Sequence, residues 1–111
     1  MDDETMPSEV AFITAMVNRA LTLGFDLAVH NEDRLLLARS NDLAEVLAAI
    51  GETEVTRLTV LEPRPSRRCI GTLVLMQGGQ NPEELLTDIQ CHGEAALAIM
   101  EDIAHAREHT H

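Results

Sequence analysis

The first regular pattern along the chain is helical. Ser8 is a good N-cap for a helix that we expect to run to about Leu23, and Gly24 follows where a C-terminal glycine belongs. Apolar residues recur there at steps of three and four and form one stripe: Val10, Ile13, Val17, Ala20 and Leu21. The spacing predicts an amphipathic helix with one face buried against a core.

After Gly24 the period changes to two. The alternation predicts a half-buried strand, with Phe25, Leu27 and Val29 set against Asp26, Ala28 and His30. Residues 31–33 form a polar turn, and residues 34–39 should return as the second strand of a hairpin. A second helix is expected from residues 40–42 to Gly51, with one apolar face: Leu43, Val46, Leu47 and Ile50.

The second half of the chain is richer in strand patterns. Residues 54–62 contain many Val, Thr and Leu and should form a strand. Residues 63–68 interrupt it, because their two prolines lack backbone donors. Residues 69–77 are apolar at both alternating sets of positions, as expected of a central strand covered on each face. Gly78 and Gly79 end this strand.

Residues 81–107 allow two interpretations. Asn81 and Pro82 could start one helix that reaches about Arg107, but such a helix would be unusually long and would contain Gly93. Alternatively, residues 84–90 form a third strand and the helix begins near Gly93. We favour the strand.

The predicted element order is therefore α-β-β-α-β-β-(β)-α. Short connections favour hairpins, so we expect an α+β fold in which three helices pack on an antiparallel sheet of four or five strands. A chain of 111 residues is long enough for one domain. We place this domain at residues 8–108, after a flexible acidic N-terminal arm at 1–7 and before a tail at 109–111.

Charge and composition narrow the classes of function. The chain carries 19 acidic residues against 8 basic ones, all of them arginine, for a net charge of -11. A surface of this sign repels phosphate backbones, and Phe12 and Phe25 are too few aromatic rings to stack bases. We therefore expect no direct binding of nucleic acid.

The protein is expected to be cytoplasmic. Its first residues are acidic, unlike those of a signal peptide, and no apolar run is long enough to cross a bilayer. Cys69 and Cys91 lack the CxxC spacing, and a reducing compartment argues against a disulfide between them. We expect no interaction with a membrane.

Two groups of residues near the C-terminus could carry chemistry. Asp102, His105 and His109 fall on one face of a helix, where a carboxylate and two imidazoles could bind a metal ion. A solvated polar terminus is the favoured alternative. Cys91 and His92 are adjacent and so point apart, which argues against a thiolate nucleophile. We expect neither an enzyme nor a cofactor, and we assign no catalytic residue.

One basic cluster lies between two predicted strands and consists of Arg64, Arg67 and Arg68. It could hold a carboxylate or a phosphate through bidentate hydrogen bonds. We favour the alternative of a solvated loop whose arginines pair with nearby acids. The glycine-rich residues 77–82 lack the spacing of a phosphate loop and are expected to form a turn.

Acidic residues are concentrated in the first half, where residues 1–55 hold eleven acids and three arginines. This imbalance predicts an acidic face that binds a protein partner with a basic surface. The residues that we assign to this face are Glu32, Asp33, Asp42, Glu45 and Glu52. The alternative is that the acids only keep the surface hydrated.

Three segments resemble parts of small accessory proteins of phages and plasmids: DLAEVL at 42–47, GTLVLMQGG at 71–79 and ELLTD at 84–88. In those proteins an acidic helix leads into an apolar strand, a Gly-Asn-type turn and an Ile-Ser-Asp-like segment. The present chain has Gly78 and Gly79 where an Asn is expected, and no aromatic residue follows Ile89. The resemblance implies a small α+β fold of mobile-element origin. It supports a strand at 84–90 and transfers no catalytic residue.

The sequence thus predicts a small acidic interaction protein without enzymatic activity. We expect this protein to be an inhibitor carried by a phage or mobile element. As a DNA mimic, it would cover a basic surface of a host defence or nucleic-acid-handling complex. Two alternatives remain open. One is a metal-binding or metal-sensing module that uses the C-terminal histidines. The other is a homo-oligomeric accessory subunit, in which a homodimer would bury the strand at residues 69–77.

Overall fold

The computed structural model of the protein describes residues 9–51, 54–66, 68–78 and 84–106. These parts of the chain contain three helices and five strands in the order α-β-β-α-β-β-β-α. The elements are α1 Glu9–Thr22, β1 Asp26–His30, β2 Leu35–Ser40, α2 Leu43–Ile50, β3 Val55–Leu61, β4 Cys69–Met76, β5 Leu86–Cys91 and α3 Glu94–His105. The predicted arm and tail lie outside the described residues. No helix in the described part is long and apolar enough to cross a membrane.

The strands form one antiparallel sheet in the order β2-β1-β3-β4-β5. Consecutive strands pair in β1–β2, β3–β4 and β4–β5, whereas the chain passes through α2 between β2 and β3. The predicted α+β class and antiparallel sheet are confirmed. A single helix over residues 81–107 is wrong, because β5 occupies part of this range and Gly93 precedes α3 with a φ of 93°.

The three helices pack against the same face of the sheet. Leu27 lies opposite Val60, and Leu58 lies opposite Leu73, so the side chains of each pair share one face. These strand residues form one core with buried residues from every helix: Met16 and Val17 of α1, Val46 and Ile50 of α2, and Met100 and Ile103 of α3. The described structure is therefore a layer of helices on one side of a sheet.

The buried stripe of α1 differs from the predicted one at its start. Ile13, Val17 and Ala20 are buried as expected, but Val10 is 68% exposed. Phe12 and Met16 are buried instead. Both sets of positions satisfy a spacing of three and four, so the period alone does not determine which of them faces the core.

The burial of β1 also differs from the prediction. The alternating pattern predicts a half-buried strand, but Asp26 and Ala28 are each only 5% exposed. Arg39 extends from the neighbouring β2 and forms an ion pair with Asp26. The charged side chain is buried because a partner from another strand neutralises it.

The prediction that β4 is covered on both faces is wrong. Leu73 and Leu75 are buried beneath the helices, whereas Thr72 and Val74 are only half-buried on the opposite face. No described helix packs on that second face, because the buried residues of all three helices belong to the one core. Among the described residues, no layer of helices therefore covers this second face of β4.

The two ends of the sheet carry different loops. The turn end contains the turn at 31–34 and the starts of β3 and β5, since Val55 pairs with Met76 and Leu75 with Leu86. The loop end contains the starts of β1 and α2 and the loop at 62–68.

Candidate partner-binding surface

Glu32 and Asp33 lie in a turn whose shape is set by Asn31. The Asn31 Oδ1 atom accepts hydrogen bonds of 2.8 Å from the backbone N–H groups of Asp33 and Arg34. The Asn31 N–H also donates to the Arg34 carbonyl oxygen at 3.0 Å. Because backbone groups and one amide side chain hold the turn, both acidic side chains stay exposed.

Asp42 and Glu45 lie at the opposite end of β2, where they stabilise the start of α2. Asp42 is the N-cap, and its carboxylate accepts a hydrogen bond of 3.2 Å from the Ala44 N–H. Glu45 accepts a hydrogen bond of 2.5 Å from the Ser40 hydroxyl, which itself accepts one of 3.0 Å from the Asp42 N–H. Both acids therefore have a local structural role besides their charge.

The acids assigned to one face from the sequence do not come together. The six residues of β2, about 20 Å at roughly 3.3 Å per residue, separate Glu32 and Asp33 from Asp42 and Glu45. Glu52 lies outside the described residues. The described members of the predicted face thus form two acidic regions at opposite ends of the sheet.

Two further acids enlarge the region at the turn end. Glu54 precedes β3 at the same end of the sheet as the turn, since His30 at the end of β1 pairs with Arg57 near the start of β3. Glu84 lies near the start of β5, two strands further along the same end. We call Glu32, Asp33, Glu54 and Glu84 the sheet-end acids. All four are exposed, and at a strand spacing of about 4.8 Å they span roughly 15 Å.

The loop end combines acids with arginines. Arg39 Nε lies 2.6 Å from Asp26 Oδ2, and Arg64 Nε lies 3.7 Å from the same oxygen. Arg39 also donates a hydrogen bond to the backbone carbonyl oxygen of Glu62. The buried carboxylate of Asp26 thus joins β1, β2 and the loop after β3.

The basic loop is engaged by acids in the same region. Arg68 Nη1 lies 3.7 Å from Glu62 Oε2, and Arg64 reaches Asp26. Arg64 and Arg68 each lie near an acid of this region, as expected of a solvated loop with nearby acids. Arg67 lies outside the described residues.

The turn end lacks comparable pairing. None of the sheet-end acids forms an ion pair with a residue that the structure describes. The nearest arginines are Arg34, in the turn itself, and Arg57, in β3, and both are exposed. The turn end therefore keeps an excess of negative charge, whereas arginines at the loop end already have carboxylate partners.

Two of the three candidate metal ligands, Asp102 and His105, lie in the part of the chain that the structure describes. Asp102 accepts hydrogen bonds of 3.3 and 2.9 Å from Arg19, which holds its carboxylate against α1. His105 is exposed on the last turn of α3, and His109 lies outside the described residues. Within the described ranges, no three His, Cys, Asp or Glu side chains come close enough to hold a metal ion.

Both cysteines line one open cavity of about 560 Å³ at the loop end of β4 and β5. Burial raises the pKa of the Cys69 thiol, and a hydrogen bond with the backbone of Gly71 acts in the opposite direction. A raised pKa lowers the fraction of reactive thiolate at neutral pH. The burial of Cys69 therefore disfavours the thiolate that a nucleophilic cysteine needs.

Comparisons with protein-family models, curated proteins and solved structures give no match to this chain.

Proposed function

We propose that the protein is a non-enzymatic inhibitor of phage or mobile-element origin that acts in the cytoplasm. Its turn end covers a basic, nucleic-acid-binding surface of a protein partner. The observation that carries this proposal is the exposed row of sheet-end acids, which have no ion-pair partner among the described residues. The net charge of -11 also makes the whole molecule negative, so a positively charged partner surface attracts it.

The average distance between the sheet-end acids is similar to the distance between charges along a nucleic-acid strand. Four carboxylates over about 15 Å correspond to roughly one charge every 5 Å. A single strand of DNA carries about one charge per 3.4 Å. A groove lined with arginine and lysine for a phosphate backbone would therefore meet a similar density of negative charge at the turn end.

The arrangement of the sheet adds a second argument. The sheet-end acids are carried by the turn between β1 and β2 and by residues next to β3 and β5. Strands joined by a hydrogen-bonded ladder hold these positions in a fixed order. A partner therefore binds charges that are ordered in advance, which reduces the entropic cost of association.

The proposal is tested by removing charge at this end without changing side-chain size. The sheet-end variant carries Glu32→Gln, Asp33→Asn, Glu54→Gln and Glu84→Gln. A control variant removes the same number of charges elsewhere, through Asp42→Asn, Glu45→Gln, Glu94→Gln and Glu101→Gln. Asparagine at position 42 keeps the N-cap, because its side-chain oxygen also accepts a hydrogen bond.

The partner is captured from a lysate of the source organism on immobilised wild-type protein, and its Kd is measured by calorimetry. At about 50 mM salt we expect the sheet-end variant to bind roughly 30-fold more weakly, from about 0.5 kcal/mol for each of four exposed charges. The control should lose less than about threefold. Wild-type binding should weaken towards about 300 mM salt and should displace nucleic acid from the partner.

Three results would contradict the proposal. These are a captured partner without a basic surface, an affinity that does not change with salt, and a control variant that loses as much affinity as the sheet-end variant.

A further inference from the structure

The face of the sheet opposite the helices has no described layer over it and mixes apolar side chains with charged and polar ones. Its residues are identified by the register, since Val55 pairs with Met76, and Val74 pairs with both Arg57 and Asp88. Met76 is 46% exposed, and Val55 and Val74 are half-buried. We call this surface the open face.

The charge of the open face differs from that of the rest of the molecule. Across β3, β4 and β5, one row carries Arg57, Val74 and Asp88 in that order. The next row carries Thr59, Thr72 and Gln90, with the two threonine hydroxyls 3.2 Å apart. In a chain of net charge -11, these two rows hold one positive and one negative charge.

The edges of the sheet are less suited to pairing with another strand. On β2, two irregularities interrupt the ladder with β1. On β5, the backbone N–H of Ile89 already donates to the Asp88 carboxylate at 2.9 Å. Bulges and charged side chains of this kind protect sheet edges against further strands.

We propose that the open face binds a second copy of this chain, with the two-fold axis running along β4 past Val74. A rotation about this axis exchanges the two sides of β4. Arg57 of each copy then faces Asp88 of the other, and Val74 packs against its own equivalent. Sheets stacked in this way lie about 10 Å apart, which an arginine side chain can bridge.

The overlap predicts a weak, reversible dimer. Three strands from each copy are superposed, about 14 Å wide and about 25 Å long, or roughly 350 Å² of projected area per copy. Both copies together contribute about 700 Å², well below the roughly 1,200–2,000 Å² of stable interfaces, so the contact supports only a weak association. The net charge also opposes association, so we expect a Kd of about 10–100 µM at roughly 150 mM salt, where this repulsion is partly screened.

The axis also places the turn ends of both copies on the same side of the dimer. The dimer would therefore present two rows of sheet-end acids to a basic surface. The dimer itself does not depend on the proposed function, because the open face does not contain these acids.

The test is sedimentation equilibrium of the isolated protein between about 5 and 500 µM, with the Arg57→Glu variant as the main perturbation. This change replaces two attractive contacts by two repulsive ones, and we expect the Kd to rise at least about tenfold. Arg34→Glu is the matched control, because it makes the same charge change in the exposed turn. Asp88→Arg should also weaken the dimer, and the double variant R57E/D88R should restore it to within about threefold.

A wild-type chain that stays monomeric at about 500 µM would overturn the proposal. Equal effects of Arg57→Glu and Arg34→Glu would do the same, because only net charge would then matter. If Asp88→Arg strengthens the dimer, the contact is at the edge of β5 and not on the open face. The sheet-end variant should dimerise like the wild type, so this test and the partner-binding test can fail separately.

Discussion

Removing the Arg39 guanidinium should destabilise the protein far more than removing that of Arg64, although both contact the same carboxylate. Asp26 and Arg39 have side chains that are only 6% and 18% exposed, and they lie 2.6 Å apart. Arg64 is 68% exposed and lies 3.7 Å away. Comparing the two variants therefore measures the contribution of a buried ion pair against that of a surface ion pair, both formed with the Asp26 carboxylate.

The magnitudes follow from burial. Loss of one partner of a fully buried pair costs about 3–5 kcal/mol, and the partial exposure of Arg39 reduces this to roughly 2–3 kcal/mol for Arg39→Met. A solvent-exposed pair contributes about 0–1 kcal/mol, and the long contact of Arg64 puts Arg64→Met near 0.5 kcal/mol or below. Methionine keeps most of the aliphatic stem in both variants, so packing changes little.

Urea unfolding of the two variants measures this difference directly. A double-mutant cycle with Asp26→Asn should give a coupling of about 1.5–2 kcal/mol with Arg39 and less than about 0.5 kcal/mol with Arg64. Thermal midpoints should fall by about 10 °C for Arg39→Met and by only a few degrees for Arg64→Met. Equal destabilisation by the two variants, or a coupling with Arg39 below about 0.5 kcal/mol, would refute the argument from burial.

Two further stability changes are expected in the core. A Cβ atom added at Gly71 would lie 2.9 Å from both Cγ and Sδ of Met100 and 2.9 Å from the Gln90 carbonyl oxygen. Gly71→Ala should therefore destabilise by about 1–3 kcal/mol in urea unfolding, and an unchanged midpoint would contradict this crowding. The Thr56 hydroxyl is buried without a hydrogen-bond partner among the described residues, so Thr56→Val should stabilise by about 0.5–1.5 kcal/mol. A destabilised Thr56→Val variant would show that the hydroxyl does have a partner in solution.

Local signals in the sequence were sufficient to predict the elements. The strand predicted from the Val, Thr and Leu content of residues 54–62 corresponds to β3, and the helix expected to begin near Gly93 corresponds to α3. Gly24 and Gly51, expected just after helices, adopt φ angles of 98° and 49°, which favour glycine. Strand propensity and helix-ending glycines depend only on residues close together in the chain. They can therefore be recognised in a single sequence.

The candidate site was only partly predictable. Glu32 and Asp33 were identified because a polar turn in a hairpin is exposed wherever the hairpin packs. Glu54 and Glu84 were missed, although each is the first residue of a predicted strand and would be expected near the end of a sheet. Asp42 and Glu45 were assigned to the same face from their charge alone, although the predicted strand at residues 34–39 already separates them from Glu32 and Asp33.

The sequence by itself determined the type and order of the elements, the net charge and the antiparallel class. The spacing of apolar residues, helix caps and turns each involve only residues close together in the chain. Short connections also restrict how neighbouring strands pair. Only the tertiary structure decided that Asp26 is buried, that β4 is covered on one face and that the sheet-end acids form a row. Each of these depends on contacts between residues far apart in the chain, such as Asp26 with Arg64, and on the alignment of three strands. Such contacts leave no periodic trace in the sequence, because the same pattern is compatible with either face of the sheet and with either end.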